Sequence, residues 1–145
     1  MKVIVGSLEK GDKLYVVYQD LNKDYQIGEA TVTGFSNWTY IVGDRWEDWG
    51  ERPQTNINYE FEGVKFSRCL ENQEKKTYFR DSPTYSSPYT HILGDRFVIV
   101  FTTYDEAKEC VISILHDYID KNLKQIDDIQ QKINKYKNNI HNIND

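Results

Sequence analysis

The sequence predicts an α+β protein, in which a small antiparallel β-sheet or SH3-like barrel is followed by one long C-terminal α-helix. All 8 Gly, all 3 Pro and all 3 Trp of the 145 residues lie before residue 104. Residues 104–145 lack the two strongest helix breakers and carry isoleucines at seven-residue intervals. We therefore predict a β-rich domain at 1–103 and a helix at 104–145, which first packs on the β domain and then oligomerises.

Short runs of β-branched and aromatic residues predict about five to seven strands in the first part of the chain. They fall at residues 3–5, 14–18, 28–35, 38–42, 59–66, 77–79 and 96–101. The segment Glu9-Lys10-Gly11-Asp12 separates the first two runs and predicts a hairpin connection. Residues 45–58 and 80–89 are predicted to form long loops, the second of them a binding loop rich in Tyr, Ser and Pro.

The start of the helix is marked by a capping box. Thr103 is followed three residues later by Glu106, and Asp105 and Glu109 add negative charge to the first turns. Three lysines between residues 132 and 137 lie towards the other end, where the helix dipole favours positive charge. Both features predict one helix that begins near residue 104.

A heptad pattern runs through this helix. Ile occupies the a position every seventh residue from 112 to 140, and the d positions are Leu115, Asn122, Ile129, Tyr136 and Ile143. A helix of this size is about 60 Å long, more than a domain of about 100 residues can cover. We predict self-association through a set that we call the heptad stripe: Ile119, Ile126, Ile129, Ile133, Tyr136 and Ile140. The alternative is a break after which the chain folds back. Helix orientation and subunit number stay open.

An internal repeat links two segments of the β-rich part. Residues 36–46 read SNWTYIVGDRW and residues 87–97 read SPYTHILGDRF, with six of 11 positions identical. Each repeat ends in an Arg followed by an aromatic residue, a combination that can hold a phosphate and stack on a flat group. The predicted ligand-binding residues are Arg45, Trp46, Arg96, Trp38 and Tyr89. The alternative is two hairpins that need the same turn.

A second candidate surface is acidic and aromatic. Residues 44–62 hold six acidic residues against two arginines, a local charge of −4, and include two tryptophans. Interfaces between proteins favour Trp, Tyr and Arg. The predicted protein-interface residues are Trp46, Trp49, Glu47, Asp48 and Arg52, which would suit a basic partner.

No pattern indicates catalysis, a metal or a cofactor. The three histidines lie about 25 residues apart without ligand spacing, Cys69 and Cys110 have no partner motif, and phosphate-loop and dinucleotide fingerprints are missing from the sequence. A net charge of −5 and 13 Lys against 5 Arg argue against direct nucleic-acid binding. The first apolar run has only three residues, so we expect no signal peptide, no membrane segment and a cytoplasmic location.

The abundance of Ile, Asn, Lys and Tyr is typical of AT-rich genomes, including those of many phages of low-GC bacteria. In size and order of elements the chain resembles phage counter-defence proteins, which join a compact β part to a helical oligomerisation segment. The resemblance implies a non-enzymatic homo-oligomeric protein of the host cytoplasm that sequesters a nucleotide-like small molecule. The alternative is an inhibitor that blocks a host effector or nucleic-acid-binding protein through the acidic aromatic surface.

Overall fold

The computed structural model describes residues 3–43, 50–70, 72–81 and 98–144. Contacts within the chain divide it into two units, Met1–Cys110 and Val111–Asp145. We call the first the β unit and the second the helical unit. The boundary lies inside the long helix, so its first two turns belong to the β unit.

The β unit contains a six-stranded sheet in the order β4-β3-β2-β1-β6-β5, in which every neighbouring pair is antiparallel. The strands are β1 (Lys13–Gln19), β2 (Tyr25–Val42), β3 (Gly50–Phe61), β4 (Val64–Cys69), β5 (Tyr78–Asp81) and β6 (Val98–Phe101). A 3-10 turn, Val5–Ser7, precedes them, and the helix α1, Tyr104–Asn144, follows them. The predicted α+β class is confirmed: an antiparallel sheet is followed by one long C-terminal helix.

The sheet is curled into a half-barrel. In the sheet order three strands separate β3 from β5, yet the ring of Tyr59 on β3 meets the ring of Phe79 on β5 edge to face, with centroids 5.7 Å apart. The Tyr59 hydroxyl also donates a hydrogen bond of 2.7 Å to Asp81 Oδ2. Such contacts across the concave face require the two sides of the sheet to bend towards each other, although the strand order still runs from one edge strand, β4, to another, β5.

The concave face and the N-terminal segment form the hydrophobic core. Its fully buried side chains include Leu14, Val16, Val32, Ile57, Tyr59, Phe61, Phe79 and Val100. Val5, also fully buried, donates from its backbone N–H to the carbonyl of Lys76. The predicted strand at residues 3–5 and its hairpin to β1 are therefore wrong. The backbone of this segment donates hydrogen bonds to a loop some 70 residues away in sequence, so no local sequence pattern could predict this arrangement.

Strands β2 and β3 are longer than the sequence predicts. The runs at 28–35 and 38–42 belong to one strand, β2, whose register against β3 shifts between Val32 and Gly34. The predicted loop at 45–58 is wrong from Gly50 onward, because these residues form β3. Residues 37–42 and 50–55 pair with each other and, among the described residues, with no third strand. We call this two-stranded extension the ribbon.

The predicted strand at 59–66 is divided by a tight turn. Glu62 and Gly63 have φ values of +53° and +79°, and β4 begins directly after them at Val64. Glycine adopts this left-handed conformation without steric cost, whereas for Glu62 it is uncommon. The turn thus reverses a chain whose apolar pattern continues on both sides of it.

At the start of α1, the capping residue Glu106 also forms a hydrogen bond to the β unit. The Glu106 N–H lies 3.4 Å from the Thr103 hydroxyl oxygen, as the capping box predicts. The Glu106 carboxylate accepts a 2.6 Å hydrogen bond from Thr77, just before β5. Ala107 is completely buried, and the ring of Tyr104 meets that of Tyr15 on β1 edge to face. The first turns of α1 are thereby packed within the β unit.

Gly28 on β2 offers a test of core packing. A Cβ atom at this position would lie 2.7 Å from Cζ of the buried Phe61 ring, which is itself packed edge to face on Tyr18. We expect Gly28→Ala to lower the free energy of unfolding by about 1–3 kcal/mol, as overpacking does in other cores. Urea unfolding measures this value. The matched control is Gly50→Ala, where an added Cβ meets no atom within 4 Å; equal stability of the two variants would contradict the packing argument.

Candidate functional site

Most of the predicted ligand and partner residues lie outside the described part of the chain. Those outside the described residues are Arg45, Trp46, Glu47, Asp48, Trp49, Tyr89 and Arg96. The backbones of Trp38 and Arg52 lie in the ribbon, where Trp38 pairs in register with Gln54 and Arg52 with Tyr40. The role of the Gly-Asp-Arg repeat and of the acidic aromatic surface stays a prediction.

The heptad stripe is fully described, and every member of it is exposed. The six side chains of the stripe are between 41% and 62% exposed. Exposed apolar residues are common singly, but a contiguous line of them marks an interaction surface or an aggregation liability. The strongest candidate site in the described part of the chain is therefore this stripe.

The geometry of α1 keeps these side chains on one line. The helix runs without interruption for 41 residues, so it lacks the break that the alternative interpretation requires. Residues seven apart in a straight α-helix differ by only about 20° around its axis. Five a-position isoleucines and four of the five d residues thus follow a slowly drifting line, with Asn122 as the one polar member. A line of this width fits a second helix, which would wrap slightly to follow it.

The remaining surface of the helical unit is polar. Asp117, Asp120 and Asp128 each precede a lysine by four residues, the spacing and order that stabilise an exposed helix. Gln131 donates to the Asp127 carboxylate at 3.1 Å, and Gln130 donates to Asn134 at the same distance. Apart from the stripe and a few other exposed apolar side chains, such as Leu115, Leu123 and Ile143, the helix therefore presents polar groups to water.

The end of the helix has weak intrinsic stability. Residues 134–144 contain five asparagines, which have low helix propensity. In proteins, most of the stability of a helix comes from packing of its apolar face. The stability of this end of the helix is therefore expected to depend on packing of another surface against the stripe.

The β unit also contains a shallow pocket. It is lined by Gly6, Leu8, Phe35, Thr55, Leu70 and Glu74. Only Thr55 and Glu74 bring polar side chains to it, so it lacks the convergent polar groups typical of a specific small-molecule site. Within the described ranges no group of three or more His, Cys, Asp or Glu residues is placed to bind a metal ion. The described helix includes no stretch long and apolar enough to cross a membrane.

The position of Cys110 in the fold changes the pKa of its thiol. Cys110, at the end of the β unit, is partly buried, and this burial raises the pKa of its thiol. The positive charge of Arg80 on β5 acts in the opposite direction, but burial dominates. A raised pKa keeps the sulfur in its thiol form at neutral pH, so it is a poor nucleophile there.

No protein-family model, no curated protein and no solved structure matches the chain. The function is therefore argued from the residues of this chain alone.

The environment of Cys110 predicts how its reactivity depends on pH. In the Cys69→Ser variant, the rate of alkylation by iodoacetamide is measured as a function of pH. The pH at which this rate increases should be higher in the folded protein than in urea, because folding disfavours the thiolate. For the same reason the thiol contributes stability below its unfolded pKa that is lost as the pH rises towards its folded pKa. Arg80→Gln should move the folded profile higher still. Coincident profiles in the folded and unfolded states would contradict the effect of burial.

Proposed function

We propose that this protein is a non-enzymatic, cytoplasmic binding protein that acts as a homo-oligomer, with α1 joining the copies and the β unit binding the partner. The observation that carries the proposal is the exposed heptad stripe, whose six apolar side chains have no cover within the described chain. The heptad spacing identifies the kind of surface that fits it, because knobs at a and d pack into holes formed by another helix.

A second copy is the simplest source of that helix. Homo-oligomers with closed symmetry are the commonest assemblies of soluble proteins, and every copy brings an identical stripe. The weak intrinsic stability of residues 134–144 supports this view, since association would supply the packing that an Asn-rich helix end lacks.

The ribbon supports a binding role for the β unit. Its two strands extend past the region where β1 and β4 pair with them, and two of the predicted partner residues, Trp38 and Arg52, have their backbones there. The segment 44–49, with its arginine, tryptophans and carboxylates, joins the ribbon strands in sequence. The ribbon is thus the part of the described sheet closest in sequence to Arg45, Trp46 and the other predicted residues of segment 44–49.

Two partner classes follow from these residues. In the first, the protein sequesters a nucleotide-like molecule through Arg45, Arg96 and neighbouring aromatic residues. In the second, it blocks a basic host protein by direct contact, which the ribbon favours because its edges pair with no third strand of the described residues and a macromolecule can add to such edges. The counter-defence role in a phage-infected cell rests on size and order of elements.

Association should fail when charge is placed in the stripe. We expect wild-type protein at tens of micromolar to scatter light as an oligomer, and Ile126→Glu/Ile133→Glu to scatter as a monomer with less helical circular dichroism, because burying carboxylates in an apolar seam is costly.

The matched control places the same charges on the opposite side of the helix. Gln131→Glu/Asn138→Glu changes two f positions, which face away from the stripe, and should leave the oligomer intact. A monomeric wild-type protein, or loss of assembly in both variants alike, would contradict the role of the stripe.

Binding of a nucleotide-like ligand has its own test. A thermal-shift panel of mono-, di- and cyclic nucleotides should include at least one that raises the melting temperature, and Arg45→Ala/Arg96→Ala should abolish that rise while the unliganded melting temperature stays unchanged. The comparison variant, Trp49→Ala, should affect contact with a protein partner instead. The absence of a shift with every nucleotide would exclude the sequestration version and leave the inhibitor version.

A further inference from the structure

We infer that neighbouring copies of α1 pack in opposite directions, in a register that sets every a position against a d position of the other copy. The inference rests on the proposed function in one respect only, namely that the helices associate through the heptad stripe. The direction of packing is argued separately, from the residues that flank the stripe.

Few of the flanking positions carry charge. The e and g positions between residues 111 and 144 are occupied mostly by Val, Leu, Tyr, Gln and Asn. The only full charges among them are Lys132, at g, and Lys137, at e, together with the titratable His116 at e. These two lysines therefore decide which direction the flanking charges favour.

A parallel arrangement brings the lysines together. In a parallel pair in register, each g residue faces the e residue five positions later on the other helix. Lys132 of each copy would face Lys137 of the other, and the two-fold symmetry would repeat this repulsion. No carboxylate occupies an e or g position in this range to offset it.

An antiparallel arrangement removes the conflict. In antiparallel helices, e positions lie beside e positions and g positions beside g positions. We consider the register that sets Ile126 of one copy against Ile129 of the other. In this register Lys132 lies beside Gln125, and Lys137 lies beside His116. The same register sets Ile119 against Tyr136, and it continues along the whole stripe without a mismatch in a/d pairing. The full length of both stripes is covered.

The charge along the helix also favours opposite directions. Residues 111–128 carry a net charge of −2 and residues 129–144 one of +3. Antiparallel packing places the acidic half of one copy beside the basic half of the other, and it aligns the helix dipoles favourably. One feature favours the parallel form: Asn122 would then meet its own copy, whereas in the antiparallel register it lies opposite Ile133. The parallel form would gain one pair of Asn122 amides, but it would also bring two lysine–lysine contacts and place like charges of the two helices side by side. The balance favours the antiparallel form.

The antiparallel register has a consequence for binding. The Cys110 positions of the two copies would stand about 50 Å apart along the helices. The β units of such a pair would then bind their partners independently, so the assembly would present two separated sites rather than one shared between protomers. A partner with two matching sites would bind such a pair more tightly through the effective concentration of the second site.

Disulfide trapping in the full chain tests the direction. In a Cys69→Ser/Cys110→Ser background, Ile119→Cys and Tyr136→Cys are prepared separately, and each is oxidised alone and after refolding as an equimolar mixture. In the antiparallel register, positions 119 and 136 of different copies meet, whereas two copies of position 119 lie about 25 Å apart. We expect a covalent dimer in the mixture and none in either single variant. Light scattering and thermal melting of the reduced proteins accompany the trapping.

Each other result has a distinct meaning. A disulfide dimer of Ile119→Cys or Tyr136→Cys alone would show parallel helices and overturn the inference. A dimer of Asn122→Cys alone would overturn it in the same way, through a position that meets its own copy only in the parallel form. Oligomers without any disulfide would overturn the register. Folded monomers in every sample would overturn the proposed assembly itself.

Discussion

The β unit depends on the contact that Tyr59 makes across the concave face of the sheet. Its ring stacks on Phe66 at 5.1 Å and meets Phe79 edge to face, and its hydroxyl donates to the buried carboxylate of Asp81. A tyrosine can join two distant strands in this way because its ring fills apolar space while its hydroxyl satisfies a buried polar group. This contact joins β3 to β5 across the concave face, over the same core that buries Val5.

The two units of the chain use apolar residues differently. In the β unit many of them are buried in one core, and the mostly polar residues 51–55 of β3 pair through their backbone in the ribbon. In the helical unit the apolar residues of the stripe are exposed, and no described residue covers them. More than thirty residues of the chain belong to this unit, and a helix of this kind gains most of its stability from packing of its apolar face.

The helix and its site could be predicted from sequence because their signals are local. The heptad repeats are visible in any window of two turns, and the cap at Thr103 and Glu106 lies within four residues. The sheet could be predicted only in class and approximate strand number. Two features were missed for physical reasons: residues 50–55 of the ribbon lack the alternating apolar pattern that marks a half-buried strand, and the turn at Glu62–Gly63 interrupts an apolar run without Pro or Asn.

By itself the sequence determined the α+β class, the position and length of α1, and the line of apolar side chains along it, because each follows from periodicity and capping within a few residues. Only the tertiary structure decided that residues 3–8 close the core instead of starting a hairpin, that β2 and β3 form a ribbon, and that β3 faces β5. Those features join residues that are distant in sequence, such as Val5 with Lys76 and Tyr59 with Asp81. Pairings of this kind are chosen by the burial of the whole core, so no local pattern of residues encodes them.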